Sequence, residues 1–154
     1  MPKRRDAIRM SQEEIWDLIR SSKNLQVVTL NKDGSPQITT LWFAVVDGAI
    51  VFETFTKSQK IVNLKRDPRI AVLVEDGLTY DQLRGVSING RAELVDEPTA
   101  VERFAEAIVA KNNPELPAEM RPQAAKMMAR KRTVVIVRPE RIASWDHRKL
   151  AGVY

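Results

Sequence analysis

Hydroxyl and ammonium side chains crowd one stretch of the chain, Thr54-Phe55-Thr56-Lys57-Ser58-Gln59-Lys60-Ile61-Val62-Asn63-Leu64. Thr54, Thr56 and Ser58 offer neutral donors, and Lys57 and Lys60 add two positive charges. Such a set is suited to holding an anion, above all a phosphate. A strand end and a helix start must position it. Ile50, Val51 and Phe52 are β-branched and aromatic, which suits a pleated, half-buried strand. Ser58 suits an N-cap, because its hydroxyl accepts a bond from an N–H of the first helical turn. Ile61 and Leu64, three apart, give the helix an apolar side. Asp67-Pro68 stops it, since proline lacks the N–H and disfavours helix in the residue before it. A helix start carries unpaired N–H groups and the positive end of the helix dipole. Together with the lysines it makes a phosphate cradle. No glycine lies between Gly48 and Gly77, so this is neither a Walker A loop nor a dinucleotide-binding glycine loop. A second reading, a capped surface helix with solvated lysines, fits the same residues, because short signals of this kind recur by chance.

The chain of 154 residues suits one domain, and 44% hydrophobic residues supply a core. Disulfides and thiolate metal sites are excluded, because there is no cysteine. His147 is the single histidine, which rules out a histidine-rich metal site within one chain. No apolar run approaches the roughly 20 residues that span a bilayer. The basic start Met1-Pro2-Lys3-Arg4-Arg5-Asp6 leads into no apolar stretch, unlike a secretory signal. A cytoplasmic protein without a membrane span is therefore expected. The net charge of +5 favours anionic ligands. Acids interspersed among the basic groups, and the lack of a basic-aromatic motif, argue against a nucleic-acid partner.

Residues 1–10 read as a flexible N-terminus, residues 11–150 as the folded domain and residues 151–154 as a tail. Ser11 and Glu14 form a capping box, and Ile15, Leu18 and Ile19 make one helical face. Leu25 to Leu30, Pro36 to Val46 and Ala49 to Thr54 read as three strands of an antiparallel meander, with turns at Asp33-Gly34 and Asp47-Gly48. Ile70 to Glu75 and Val86 to Val95 are further strands, with Gly90 marking a bulge or close approach. A helix follows Asp96-Glu97-Pro98, with Val101, Phe104, Ala105 and Ile108 on its apolar face. Ala124 to Arg132 reads as helical, with Met127 and Met128 partly packed. Thr133 to Val137 and Arg141 to Trp145 read as strands, with Pro139 allowing an edge or a break between them. Six or seven strands with three or four helices, few of them alternating, imply a mainly β (α+β) fold: an antiparallel barrel or sheet with helices at the ends.

The chain resembles the pyridoxamine 5′-phosphate oxidase-like superfamily of flavin-binding split barrels. Within it, the chain is most similar to the actinobacterial flavin/deazaflavin oxidoreductases of the B type. The likeness rests on Val28-Thr29-Leu30-Asn31-Lys32-Asp33-Gly34-Ser35-Pro36, on Lys57-Ser58-Gln59-Lys60 through Asn63-Leu64-Lys65-Arg66-Asp67-Pro68-Arg69, and on Leu83-Arg84-Gly85-Val86. Ser144-Trp145-Asp146-His147-Arg148-Lys149-Leu150 is similar to one deazaflavin-linked subgroup. The resemblance implies a split barrel and a homodimer with the cofactor in a groove between subunits. It places Lys57, Ser58 and Lys60 on the cofactor phosphate and Thr39, Thr40, Leu41 and Trp42 along the flavin or deazaflavin ring. Thr54 would face the ring or its ribityl chain, and Asn63 would support the loop. True pyridoxamine phosphate oxidases carry an arginine- and histidine-containing motif near the C-terminus. Trp145, His147, Arg148 and Lys149 do not match it, so that activity is not expected.

The resemblance implies a reductase that uses coenzyme F420, a two-electron deazaflavin, to pass a hydride to a small electron-poor molecule such as a quinone, an enone or a tetrapyrrole. An FMN enzyme of the same fold is the alternative, as is a non-catalytic protein that holds F420, FMN or haem. Arg84 reaches the anionic tail of the cofactor or is an exposed strand-end arginine. Trp42 and Trp145 stack on ring or substrate, or fill core or dimer interface. His147, the one residue whose type has an unperturbed pKa near neutrality, donates a proton or is a hydrogen-bonded structural histidine. No catalytic residue is assigned.

Overall fold

The structure, a computed structural model, describes residues 3–152. Met1, Pro2, Val153 and Tyr154 lie outside the described residues, and with them the outermost parts of the expected flexible N-terminus and tail. Seven strands form one antiparallel sheet: β1 (Asn24–Leu30), β2 (Pro36–Trp42), β3 (Ala44–Val46), β4 (Ala49–Phe55), β5 (Arg69–Asp76), β6 (Arg84–Val95) and β7 (Arg132–Asp146). The described α-helices are α1 (Arg4–Ala7), α2 (Gln12–Ser21), α3 (Gln59–Arg66), α4 (Pro98–Asn112) and α5 (Arg121–Met128).

The sheet order is β2-β1-β5-β6-β7-β4-β3. Pro36 to Val46 is therefore not one strand of a meander. It breaks at Phe43, and its two halves occupy opposite edges of the sheet. One residue joins those edges, so the sheet must curl back on itself into a split barrel. Phe43 is fully buried at that corner.

Two apolar clusters hold this shape. Leu25, Val27, Phe52, Ile70, Val72, Val86 and Ile88 fill the barrel, and Ile15, Leu18 and Ile19 of α2 close it. Outside, α4 lays Val101, Phe104 and Ile108 on Val51, Val134 and Ile136. Strand β4 is thus covered on both sides, from Ala49 through Thr54.

The capping box of α2 forms as its sequence implies, with Ser11 Oγ accepting the Glu14 N–H. Residues 8–10 are tied down rather than loose: the Asp146 N–H donates to Ile8 O, the Met10 N–H donates to Ser144 Oγ, and Met10 is buried. Helix α5 begins before Pro122, which sits in its first turn, where the missing N–H costs nothing. Met127 is exposed rather than partly packed.

Pro139 does not divide the last strand. It lies opposite Gly90 at a bulge, Asn89 already faces Arg141, and Glu140 is the extra residue. Strand β4 pairs with β7 only as far as Ile136, so nothing asks Pro139 for an N–H on that side. Gly90 is required here by close approach, because an added Cβ would collide with the Arg138 carbonyl. Gly90→Ala is expected to cost about 1–3 kcal/mol by overpacking. Thermal unfolding followed by circular dichroism should show a midpoint lowered by about 2–10 °C.

Candidate functional site

Strand β4 ends at Phe55, and a short turn leads into α3. The Ser58 N–H donates to Phe55 O at 2.8 Å, and the Thr56 N–H donates to Lys131 O at 2.9 Å. The Thr56 and Thr133 hydroxyls meet at 2.9 Å. The turn is therefore pinned to the start of β7. Ser58 is the N-cap, accepting the Ile61 N–H, and Thr54 donates its hydroxyl to Ser58 Oγ at 3.4 Å. This is the strand–turn–helix unit that the sequence implies.

Lys57 is exposed and Lys60 half-buried. Neither ammonium has an ion-pair or hydrogen-bond partner among the described residues. Burial holds the Lys60 ammonium below its ordinary pKa. A cation that is partly desolvated and unpaired beside a helix N-terminus is electrostatically incomplete, and an anion would complete it.

Asn63 does not face a ligand. It is fully buried, donating to Thr29 Oγ1 and Asn31 Oδ1 at 3.0 Å each. Its Oδ1 accepts from Gln59 Nε2 and Arg66 Nη2. These bonds brace α3 against the end of β1.

Along β2 the pleat separates the four expected ring contacts. Thr39 and Leu41 are half-buried on one face, while Thr40 and Trp42 are exposed on the other. Their side chains cannot lie against one side of a flat ring together. What β2 offers as a unit is its free backbone edge, since it pairs only with β1. Thr39 Oγ1 and Gln37 Oε1, two residues apart on the same face, are buried without a partner. Gln37 escapes sequence reading, because only the register Thr29↔Gln37 places it beside the brace of α3.

Arg84 is not part of the cradle within one chain. It pairs with Asp76, Nη2 to Oδ2 at 2.8 Å, and lies opposite Asp146 at the far end of β7. The cradle adjoins Arg132 at the other end, roughly 45 Å of strand away at about 3.3 Å per residue. Trp145 and His147 share the Arg84 end. The Trp145 ring covers Gly85, and His147 Nδ1 donates to Tyr80 O at 2.8 Å. Trp145 belongs to neither core cluster.

Glu53 is the other feature that sequence reading missed. Both its oxygens are buried without hydrogen bonds, and the Arg132 Nε lies 3.8 Å away, too far for one. Burial pushes its carboxyl up to about 7, against the opposing pull of Arg132.

A family model for pyridoxamine 5′-phosphate oxidase matches residues 11–146. The chain belongs to this family. Among solved structures, a conserved hypothetical protein of Mycobacterium tuberculosis is 45% identical, with TM-score 0.90, over 99% of this chain and 94% of that one. A protein described as an F420 reductase is 25% identical, with TM-score 0.66, over 86% of this chain and 98% of that one. A haem storage protein of Vibrio cholerae, 14% identical with TM-score 0.64, covers 86% of this chain and 94% of its own and shares the fold. No curated protein matches by sequence. The pyridoxamine 5′-phosphate oxidase fold is thereby established for this chain, and the split barrel expected from sequence is borne out.

The Glu53 carboxyl gives this family member a pH signature. Its folded pKa is raised, so the folded state holds the proton more tightly than the unfolded chain. That stabilisation is complete below the unfolded value near 4.5 and is lost as pH rises through about 7. Denaturant unfolding at pH 5 and pH 8 should show the Glu53→Gln protein losing about 2–3 kcal/mol less than the parent over that interval.

Proposed function

We propose that the chain is an oxidoreductase that binds coenzyme F420 and reduces a small electron-poor molecule such as a quinone, an enone or a tetrapyrrole. The unpaired Lys57 and Lys60 at the start of α3 carry this reading. Family membership and the likeness to an F420 reductase support it. When bound, the deazaflavin supplies the two-electron hydride chemistry. The chain's own residues bind and orient. Lys57, Lys60 and Ser58, with the α3 N–H groups, hold a phosphate. The free backbone edge of β2 offers polar groups to a ring's edge. FMN is the second reading, because a phosphate cradle serves either molecule.

A homodimer belongs to the same proposal. Val28, Leu30, Ile38, Ala71 and Leu73 line one sheet face and belong to neither core cluster. Ile38 is 66% exposed, large for an isoleucine in a sheet. A cytoplasmic location completes the proposal; no described helix is long and apolar enough to cross a membrane.

Parallel titration of the apo protein with F420 and FMN tests the cofactor. F420 should bind more tightly, and Lys57→Ala and Lys60→Ala should each weaken it about tenfold, the size of a lost charge-assisted bond, with the double change weaker still. Light scattering should give a dimer mass for the parent chain and a monomer for Ile38→Asp.

A further inference from the structure

A cavity of about 760 Å³ opens on the other side of the cradle turn, between α4, α5 and the first residues of β7. That volume lies in the range of small-molecule sites, about 300–1,000 Å³. Lys57, Ser58 and Lys60 do not line it.

Its walls have two characters. Pro98, Val101, Met127 and Ala129 make an apolar side, with Met127 67% exposed at the mouth. Lys126, Arg130, Lys131 and Arg132 supply four cations against the carboxylates of Asp96 and Glu102. No ion pair joins either carboxylate to any of the four among the described residues. One oxygen of Asp96 is taken by the Thr133 hydroxyl.

Arg132 is only partly satisfied, by an ion pair with Glu53 at 3.8 Å. Its guanidinium lies over the Phe55 ring, 4.3 Å from the centroid, and makes no hydrogen bond to Glu53. A planar fork fixed by stacking suits a carboxylate or phosphate. Lys131 adopts a left-handed backbone, φ 56°, and its carbonyl is the anchor of Thr56. This strained residue therefore sits where the cavity wall meets the back of the cradle turn.

We propose that this cavity is a second binding site, for a small amphipathic oxyanion with a carboxylate or phosphate head on an apolar body. The head lies among Arg130, Lys131 and Arg132, and the body lies along Val101, Ala129 and Met127. The site goes beyond the cofactor reading and does not depend on it.

Calorimetric titration of the full chain with decanoate, decyl phosphate and decanol, each below its aggregation threshold, tests the site. Decanoate or decyl phosphate should bind at least tenfold more tightly than decanol, and the tighter of the two identifies the head group. Lys126→Glu/Arg130→Glu reverses two exposed charges outside the core and should weaken that binding tenfold or more. The same variant should keep the parent's affinity for F420 and FMN within twofold. Equal binding of decanol, unchanged binding in the double variant, no binding at millimolar concentration, or competition with F420 for one site would each overturn the proposal.

Discussion

Asn63 uses all of its hydrogen-bonding capacity inside the protein. Its amide donates to Thr29 and Asn31, and its carbonyl oxygen accepts from Gln59 and Arg66. The amide has two donors and two acceptor sites, so nothing is left over. Buried at the end of β1, this side chain fixes the distance and rotation of α3 relative to the barrel. Everything assigned to the start of α3 depends on that constraint. A helix free to rotate would carry Lys60 into water, and its N-terminal N–H groups would point at no fixed place.

The curl of the sheet supplies the rest of the setting. Because only Phe43 separates β2 from β3, the edges of the sheet come together there and diverge beyond it. Strand β2 keeps an unpaired edge, and the far half of β4 runs into the cradle turn. Burying β4 on both faces gives the turn a rigid base. It also encloses Glu53, a carboxylate without a hydrogen-bond partner. Such a group costs stability when charged, and Arg132 compensates only in part.

Much of this was legible in the residues, and the failures have physical causes. The Ser11 and Ser58 caps, the stop at Asp67-Pro68, the buried face of α4 and the Gly90 bulge follow from local chemistry and periodicity, and all stand in the structure. The break at Phe43 was not legible, because the segment is rich in strand-forming residues on both sides and only the barrel corner divides it. Pro139 misled because its missing N–H is harmless where β4 no longer pairs. At the candidate site, local sequence places Lys57, Ser58 and Lys60 at a helix start. It does not say that Asn63 turns inward, or that Arg84 lies at the opposite end of β7. Those depend on register and on long-range partners. Gln37 and Glu53 stayed hidden for the same reason, since lost hydrogen-bond partners are a tertiary property.

On this reading the start of α3 anchors the phosphate of a ring-shaped redox cofactor. The most direct measurement is a crystal structure of the chain grown with F420. The phosphate should lie within hydrogen-bonding distance of Ser58 Oγ and the Lys57 and Lys60 ammonium groups. A phosphate bound elsewhere, with both lysines turned into solvent, would contradict it.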